Sequence, residues 1–556
     1  MKLQQLSHIK IQLLIVLISA LLFIPFTGQV HLFDWDEINF AESAREMLET
    51  GNYLEVQVDY QTFWEKPPLF IWMQALSMKL FGVNEFAARF PNAICGIFTL
   101  LVLYNIGSHL YNKRFGLLWV LVYLASFFPF FYFKTGIIDP WFNLFMFLGL
   151  YYLFRYFRGR NTMQISLAAL FTGLAVLTKG PVGALIVGLA AIIYLFFVRF
   201  RVVIKWWDVL LFLLIVSLTG GFWFLLMLLK GESQMIVDFI QYQIRLFRTE
   251  DAGHGGFLLY HFVVIFIGVF PASVFALKGF RPTRGGDEKA AFRRLMKILF
   301  WTVMILFTIV NTKIIHYSSL AWYPVTFLAA YVIMNIEQRN YRFPLWMKVV
   351  LGVMSGVYAM MVAALPFFDA IKHRIIEKDW IKDPFAMANL EAEAGWLGFE
   401  GFVGLFLIGG FVWMLIRLKK RKHKIAVYPF LIGSVIFIYT AAVFLTPRVE
   451  RYSQNAAIEF YQSLQGKDVY VAPLGFKSYA HLFYTRKPEP EIHHDTWWKL
   501  NAKIDKPAYF VTKIHKLQNE LEKHPGLEVL YEKNGFVFCV RKPHEDEDKG
   551  LDYDKE

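Results

Sequence analysis

DWDEINFAESAREMLETGNYLEVQVDYQTFWEKPP, residues 34–68, is a polar island between two strongly apolar segments. Within it Asp36 occupies the position of a helix N-cap, and Glu37–Thr50 predicts an amphipathic helix that ends at Gly51. A proline-containing turn then precedes a short apolar helix, Leu69–Leu80, which at about 1.5 Å per residue reaches roughly 18 Å and cannot cross a bilayer of about 30 Å. Two helices lying in the membrane interface, with acids and a lysine between them, indicate a reaction site at a membrane surface.

Composition assigns the chain to the membrane proteins. Of its 556 residues, 56% are hydrophobic and 18% are aromatic, which is typical of a polytopic membrane protein. The formal net charge of +13 does not indicate nucleic-acid binding, because the basic residues stand in short clusters between apolar spans. Cys95 and Cys539 are too few for a disulfide framework and lack the spacing of a zinc site.

Apolar runs predict about thirteen transmembrane helices. The run Ile11–Phe26 follows Lys2 and Lys10, and we expect a retained first helix with a cytoplasmic N-terminus rather than a cleaved signal peptide. The further spans are expected at residues 88–110, 115–133, 140–157, 164–179, 182–198, 207–229, 258–277, 297–311, 318–336, 347–366, 397–416 and 427–446. The predicted fold is an α-helical polytopic membrane protein, with residues 1–446 as the transmembrane domain and interfacial helices at about 36–81.

The distribution of charge predicts the orientation. Lysine and arginine gather in alternate connections, which is typical of cytoplasmic loops. These basic connections lie at residues 113–114, 155–160, 199–205, 278–297, 339–348 and 417–424. Acids, histidines and isolated lysines gather in the other set, at residues 34–68, 134–139, 231–257, 311–317 and 367–396. An odd number of spans then leaves the C-terminus outside the cytoplasm.

After Thr446 the sequence becomes polar, and residues 447–556 predict a small extracytoplasmic α/β domain that ends in an acidic tail. Strands are expected at Asp468–Ala472, Tyr509–Thr512, Leu527–Tyr531 and Gly535–Val540, and helices at Arg451–Leu464 and Ile514–His524. The domain contains no glycine-rich nucleotide-binding loop. His493 and His494 are interpreted as a solvated pair rather than metal ligands.

The order DE-x-x-F-AE-x-x-REML-x-TG, followed by WEKPP, resembles the first periplasmic loop of the polytopic glycosyltransferases that use polyprenyl-phosphate sugars. Within that group the chain is similar to the aminoarabinose transferases that modify lipid A and to the protein O-mannosyltransferases. An Asp-Pro in a short outer loop, TKG, DA-x-H and a lysine followed by an aromatic residue continue the resemblance in the same order. Trp64, where many relatives have Phe or Tyr, and the charged loop 367–396 depart from it.

The resemblance implies a GT-C-like architecture in the bacterial inner membrane, with the active site on the periplasmic side. It implies transfer of a sugar from a polyprenyl-phosphate donor to a lipid, glycan or protein acceptor, without a nucleotide cofactor. Membrane lipids are the other expected partners, and nucleic acid is not one. Rival interpretations are a lipid or oligosaccharide transporter or flippase, and an oligosaccharide polymerase or ligase that also uses lipid-linked sugar.

Three acids are the catalytic candidates. Asp36 is expected to act as general base on an acceptor hydroxyl, and its alternative role is that of a helix cap. Glu37 is either a second acid or a favourable charge in the first turn. Asp139 lies in KTGIIDPW, a loop so short that the acid sits at the membrane boundary, although Asp-Pro is also a common turn dipeptide.

Basic and aromatic residues are the candidates for substrate binding. Lys66 is expected to bind the donor phosphate, with an ion pair to Glu65 as the alternative, and Trp64 is expected to line the lipid groove. Lys179 and Lys313 at the outer ends of spans suggest a phosphate pocket, with snorkelling as the alternative. Tyr317 matches an aromatic position of the relatives, whereas His316 is given no role.

The loop QIRLFRTEDAGHGG adds Arg248 as a further candidate for substrate binding. The resemblance implies a divalent metal ion shared between His254 of this loop and Glu65. Two ligands do not define a metal site, so the metal is only an expectation.

Topology gives the first prediction. A reporter fused at Gln465 should be active outside the cytoplasm, and one fused at Gly285 should be active inside it, since an odd number of spans separates the N-terminus from residue 465. Fusions with alkaline phosphatase and with a cytoplasmic reporter measure this. Cytoplasmic activity at Gln465 would contradict both the span parity and the position of the C-terminal domain.

Overall fold

The computed structural model describes residues 6–249, 255–338, 343–378 and 380–543, apart from the side chains of 246–248. The chain divides into two compact units, which we call the membrane unit (Met1–Leu365 with Gly398–Leu445) and the C-terminal unit (Pro366–Leu397 with Thr446–Glu556). The division at Leu445 lies next to the predicted domain boundary. Residues 366–397, which the sequence leaves in the transmembrane domain, are part of the C-terminal unit instead.

The chain is mainly helical. The helices are α1 His8–Phe23, α2 Trp35–Thr50, α3 Leu69–Phe81, α4 Glu85–Leu110, α5 Lys113–Leu124, α6 Phe127–Phe131, α7 Asp139–Gly159, α8 Thr162–Lys179, α9 Val182–Phe197, α10 Trp206–Thr219, α11 Phe222–Leu229, α12 Ser233–Arg248, α13 Tyr260–Gly268, α14 Ala272–Gly279, α15 Glu288–Ile309, α16 Trp322–Glu337, α17 Leu345–Ala364, α18 Phe368–Glu377, α19 Pro384–Asn389, α20 Gly404–Lys419, α21 Tyr428–Phe444, α22 Thr446–Glu450, α23 Asn455–Ser463, α24 Ala480–Thr485, α25 Thr496–Asn501 and α26 Leu517–Lys523. The strands are β1 Gln57–Val58, β2 Gln61–Thr62, β3 Tyr470–Pro473, β4 Ala508–Lys513, β5 Glu528–Lys533 and β6 Phe536–Arg541. Short 3₁₀ helices at Tyr132–Lys134 and Ile315–Ala321 contribute to the site described below.

Among the described helices, six are long and apolar enough to cross a membrane, and nine spans result if each of three bent helix pairs counts as one. The bent pairs are α5 with α6 (86°), α10 with α11 (55°) and α13 with α14 (116°). Every predicted span falls on an apolar helix or on a bent pair. The predicted number of thirteen is not confirmed, because helices such as α1 and α9 have 16 residues, or about 24 Å at 1.5 Å per residue.

Helix α2 begins two residues earlier than predicted, because its N-cap is Asp34 and not Asp36. Oδ1 of Asp34 accepts a hydrogen bond from the Asp36 N–H at 2.9 Å. At the other end, Gly51 adopts the left-handed conformation with φ of 70°, which confirms the predicted stop. The carboxylate of Asp36 is therefore not used as a cap.

The polar face of α2 is buried as well as its apolar face. Arg45 donates from Nε and Nη2 to the two carboxylate oxygens of Glu42 at 2.8 and 2.7 Å. The Tyr60 N–H donates to Oε2 of Glu46 at 3.0 Å. Burial, together with the nearby Glu42, raises the pKa of Glu46. Helix α2 is thus fixed by the protein on both faces, which its amphipathic pattern alone does not indicate.

A short antiparallel ribbon of β1 and β2 connects α2 to the EKPP turn. Helix α3 follows directly after Pro68 and has 13 residues, which confirms the predicted helix that is too short to cross a bilayer. Its buried Gln74 donates to the carbonyl of Gly136, in the loop that precedes α7.

The C-terminal unit contains a four-stranded sheet in the order β3-β4-β6-β5. Strands β3 and β4 are parallel, and the β4–β6 and β6–β5 pairs are antiparallel. The four predicted strands and the two predicted helices of this unit are confirmed with small shifts at their ends. The tight turn between β5 and β6 uses Asn534 and Gly535, which both have positive φ, as a two-residue hairpin requires.

The segment 366–397 belongs to the C-terminal unit through polar contacts that the sequence does not indicate. The Tyr452 hydroxyl donates to Oδ1 of Asp369 at 2.5 Å, and Trp396 Nε1 donates to the same hydroxyl at 3.0 Å. The buried Lys372 donates to the carbonyl of Ala392 at 2.8 Å.

Candidate active site

Glu37 is fully buried and accepts four hydrogen bonds. Arg89 donates from Nε to Oε1 at 2.7 Å and from Nη2 to Oε2 at 2.9 Å. The Phe33 N–H donates to Oε2 at 3.0 Å, and the Gly136 N–H donates to Oε1 at 2.5 Å. These bonds occupy the carboxylate and favour a structural role for Glu37, and its catalytic role stays a prediction.

Arg89, on α4, uses all five of its N–H groups. Besides its two bonds to Glu37, it donates to the carbonyls of Thr27, Val30 and His31 at 2.9, 2.6 and 2.8 Å. The ion pair therefore fastens the connection between α1 and α2 to the beginning of α4.

The loop 135–138, which leads into Asp139, is held through its backbone. Asn92 Nδ2 on α4 donates to two of the loop's carbonyls at 2.7 Å each, and Gln74 Nε2 on α3 donates to the Gly136 carbonyl at 3.3 Å. A Cβ atom at Gly136 would lie 3.1 Å from the side chain of the buried glutamate and 3.2 Å from a carbonyl of α4. The close backbone approach therefore favours glycine here.

Asp139 is the first residue of α7 and is 2% exposed. Its Oδ1 accepts a hydrogen bond from Lys179 Nζ at 2.7 Å, and Lys179 is the last residue of α8. Its Oδ2 is buried and has no hydrogen-bond partner among the described residues. The structure thus pairs two sequence candidates and leaves one buried carboxylate oxygen that no described residue bonds.

Asp36 lies half-buried in the first turn of α2, and no described residue donates a hydrogen bond to its carboxylate. Asp36 and Asp139 both act electrostatically on the Tyr132 hydroxyl and on the imidazole of His316. The fold thus places Asp36 and Asp139, which are far apart in sequence, around the same tyrosine and histidine.

Asp34, beside Asp36, belongs to the same acidic group. Burial opposes its ionisation, but the neighbouring His316 and the amides of Asp36 and Glu37 outweigh this and lower the pKa of Asp34. Asp34 is therefore an anion that caps α2 and faces an imidazole.

Lys66 is 7% exposed, and its ammonium group forms a long ion pair with Glu65, the alternative that the sequence also offered. Nζ lies 3.8 Å from Oε2 of Glu65 and 5.3 Å from the ring centroid of Tyr242, and no described residue accepts a hydrogen bond from it. The ring of Trp64 packs edge-on against Tyr242 at 5.6 Å. A desolvated cation with an aromatic wall suits an anionic group attached to an apolar chain.

Helix α12 packs against Lys66 and against the turn that follows Lys179. Its Tyr242 contacts Lys66, and one turn earlier Phe239 approaches Gly180, where a Cβ atom would lie 2.5 Å from the Phe239 ring. Gly180 directly follows Lys179. Lys66 and the Asp139–Lys179 pair therefore border neighbouring turns of one buried helix face.

Lys313 does not have the environment predicted for a phosphate ligand. Its Nζ donates to the carbonyls of Phe307, Thr308 and Val310 at 3.1, 2.7 and 2.5 Å, so it caps the C-terminus of α15. Tyr317 stacks on the ring of Phe307 at 5.0 Å. Three carbonyls occupy the ammonium of Lys313, which favours a structural role, and its contact with a phosphate stays a prediction.

The described residues do not assemble a metal site. No group of three His, Cys, Asp or Glu side chains that could hold a metal occurs in the described parts of the chain. The nearest charged partner of Glu65 is a lysine. His254 lies outside the described residues, and so does the side chain of Arg248.

Sequence reasoning missed Arg89 and His316. Arg89 stands as a lone charge at the start of the apolar run 88–110, and a charge in that position requires a buried partner. His316 follows a predicted lysine candidate by three residues, and its partners come from distant parts of the chain.

The sequence and structure are similar to those of known membrane glycosyltransferases. The family described as dolichyl-phosphate-mannose-protein mannosyltransferase matches residues 65–223. An undecaprenyl phosphate-alpha-4-amino-4-deoxy-L-arabinose arabinosyl transferase of Pectobacterium atrosepticum is 25% identical over 66% of this chain and 66% of its own length. An uncharacterized protein of Aquifex aeolicus is 27% identical over 58% of this chain and 64% of its own length. The chain thus spans slightly less than two thirds of these relatives.

Among solved structures, ArnT from Cupriavidus metallidurans bound to undecaprenyl phosphate matches with a TM-score of 0.75 and 17% identity. The match covers 96% of this chain and 98% of that one. The resemblance inferred from the first outer loop is confirmed, and the chain has the fold of this membrane protein.

The buried ion pair generates a prediction about stability. Arg89→Gln leaves the Glu37 carboxylate buried without a cation, and we expect the free energy of unfolding to fall by about 3–5 kcal/mol. Arg155→Gln is the matched control, since Arg155 is 30% exposed and lies 3.6 Å from Glu288; here about 1 kcal/mol or less is expected. Denaturant titration of the detergent-solubilised protein measures both, and equal losses would contradict an anchoring role.

Proposed function

We propose that this chain is a glycosyltransferase that moves a sugar from a polyprenyl-phosphate donor to a lipid, glycan or protein acceptor. The observation that carries the proposal is the set formed by Asp36 in the first turn of α2, Asp139 paired with Lys179 at the start of α7 and the end of α8, and Lys66 in the turn before α3. It offers a carboxylate to which no described residue donates, a second acid with one oxygen that no described residue bonds, and a buried ammonium group whose ion pair with Glu65 is 3.8 Å long. These are the groups that glycosyl transfer from a phosphate requires.

Asp36 is the proposed general base. Its carboxylate takes the proton of the acceptor hydroxyl while the hydroxyl oxygen forms a bond to the anomeric carbon of the sugar. The bond between that carbon and the phosphate oxygen breaks, and the bonding electrons leave with the polyprenyl phosphate. The proton, the sugar and the charge are thereby all accounted for, with Asp36 protonated at the end of the step.

Lys66 is the proposed partner of the phosphate. Negative charge grows on the phosphate as the sugar departs, and a nearby ammonium stabilises that charge. The aromatic surface of Trp64 and Tyr242 beside it supplies an apolar wall for the lipid chain. The Asp139–Lys179 pair is proposed to bind polar groups of the sugar through its available carboxylate oxygen.

The relatives support a finer assignment. Arabinosyl transferases that use undecaprenyl phosphate-linked aminoarabinose, a pentose, are similar along much of the chain. We propose an undecaprenyl-phosphate donor, with its sugar and acceptor to be identified, and an active site that faces the periplasm of a bacterial inner membrane. A divalent metal bound by Glu65 and His254 stays a prediction.

A transporter is the rival function from another class. Transporters carry ionisable residues near the middle of the membrane, often on broken helices of repeated halves. Here Asp34 caps a helix, Asp139 begins one and Lys179 ends one. Placement at helix ends favours chemistry at the membrane surface.

The direct test incubates the purified protein with polyprenyl-phosphate sugars and measures released polyprenyl phosphate and glycosylated acceptor. A glycosyltransferase produces both in equal amounts. Movement of intact lipid-linked sugar across a vesicle membrane without release of the lipid phosphate would support the transporter instead.

Asp36 generates a prediction about turnover. Asp36→Asn removes the base but keeps the size of the side chain, and helix capping belongs to Asp34, so the protein should fold while kcat falls by roughly 100-fold or more. Glu49→Gln is the control, since it removes one charge from the exposed C-terminal end of the same helix. Steady-state kinetics of both variants measure this, and near-normal kcat in Asp36→Asn would eliminate Asp36 as the base.

Lys66 generates a prediction about donor affinity. Lys66→Ala should weaken donor binding roughly 10- to 150-fold, the range of a charge-assisted hydrogen bond of about 1.5–3 kcal/mol, and Lys66→Arg should retain part of the affinity. Lys79→Ala, an exposed lysine on α3, is the control. Titration with a fluorescent polyprenyl-phosphate analogue gives the dissociation constants. Unchanged donor affinity in Lys66→Ala would show that Lys66 does not bind the donor phosphate and is only a charge at the membrane interface.

A further inference from the structure

His316 is held between an anion and a hydroxyl in the candidate active site. Its Nδ1 lies 2.5 Å from the hydroxyl oxygen of Tyr132, and its Nε2 lies 3.6 Å from Oδ2 of Asp34. The side chains of His316 and Asp34 are 16% and 31% exposed. The imidazole therefore separates a buried phenol from a partly exposed carboxylate.

The residues around His316 fix its position. The Tyr132 ring is buried and packs edge-on against Trp322, with ring centroids 4.4 Å apart. The His316 carbonyl accepts a hydrogen bond from Ser319 Oγ at 2.5 Å, and Asn143 Nδ2 on α7 donates to that hydroxyl at 2.8 Å. His316 is thus fastened to α7 near Asp139, so its orientation is set before substrate binds.

The charged groups around His316 are mainly acidic. Asp34 and Asp36 approach it from the start of α2, and Asp139 approaches it from the start of α7, while Tyr132 faces it from the 3₁₀ helix after α6. The cation beside Asp139 is Lys179, which is already hydrogen-bonded to that carboxylate. The carboxylates of this site repel an anionic donor unless a nearby cation offsets their negative charge.

Asp34 connects His316 to the proposed base. One oxygen of Asp34 faces the imidazole, and the other accepts the hydrogen bond from the Asp36 N–H at 2.9 Å that begins α2. The two oxygens of Asp34 therefore face the imidazole and the backbone amide of Asp36, not the Asp36 carboxylate.

We propose that His316 is a positioning residue that carries a proton in the resting enzyme, neutralises Asp34 and thereby permits the anionic donor to bind beside Asp36. This inference rests on the proposed function. As pH rises and the imidazole loses its proton, the negative charge of Asp34 is no longer offset by His316 and disfavours the anionic donor beside Asp36. The Michaelis constant for the donor then rises, whereas kcat, which depends on Asp36 as base, changes less.

The test compares the pH dependence of kcat and of KM for a polyprenyl-phosphate sugar in the wild type and in His316→Asn. Asn can still hydrogen-bond to Tyr132 but cannot be protonated. We expect the wild-type KM to rise by roughly 10-fold on the alkaline side, the lower end of the effect of one nearby opposite charge, and the Asn variant to show the raised KM at every pH. His493→Asn, an exposed histidine of the C-terminal unit, should keep the wild-type profile.

Tyr132→Phe provides a second measurement that does not remove the imidazole. It deletes the hydroxyl that contacts Nδ1 but keeps the packing against Trp322, so the pH at which KM rises should shift while the size of the rise stays the same. This variant decides the matter if His316→Asn does not fold.

An alkaline rise in KM that persists unchanged in His316→Asn, with kcat reduced equally at every pH, would overturn the inference and leave His316 a packing residue. An unmoved KM profile in Tyr132→Phe would do the same if the Asn variant does not fold. Failure of the proposed function would look different, because the wild type itself would then release no polyprenyl phosphate at any pH.

Discussion

The candidate site depends on one buried ion pair, Glu37 with Arg89. An isolated carboxylate or guanidinium in this apolar setting would cost several kcal/mol, and the pair is tolerable only because every donor and acceptor is used. Its further bonds reach the carbonyls after α1 and the amide of Gly136. Satisfying two buried charges therefore also aligns the beginning of α2 with the beginning of α7, and these two places carry Asp36 and Asp139.

The features that the sequence predicted correctly depend on neighbouring residues. The extent of α3, the glycine stop of α2 and the strands of the C-terminal unit follow from periodicity, turn residues and caps within a few positions. The position of Asp139 at a helix start follows in the same way from the Asp-Pro dipeptide between two apolar runs. The resemblance in the first loop adds the fold, because its motifs are specific enough to select one architecture.

The features that the sequence did not predict depend on contacts between distant segments. Lys179 and Lys313, both at the ends of apolar spans, look alike in sequence, yet Lys179 pairs with an acid and Lys313 caps a helix. Glu37 and Asp36 are adjacent, and only the fold reveals that Arg89 binds the carboxylate of Glu37, whereas no described residue donates to that of Asp36. The local sequence pattern thus identifies candidate side chains, and only their tertiary contacts separate those that are engaged in structural bonds from those that are not.

The long reach of the Glu37 contacts has a consequence for biosynthesis. Arg89 follows Glu37 by 52 residues and Gly136 follows it by 99, so the glutamate leaves the ribosome well before its partners exist. During insertion the carboxylate of Glu37 stays solvated until the chain has been made as far as Gly136, just after the third predicted span. A chain that stalls earlier lacks the guanidinium and the amide that this carboxylate binds in the finished fold. The same contact that orders the finished site therefore also marks whether enough of the chain has been assembled to form it.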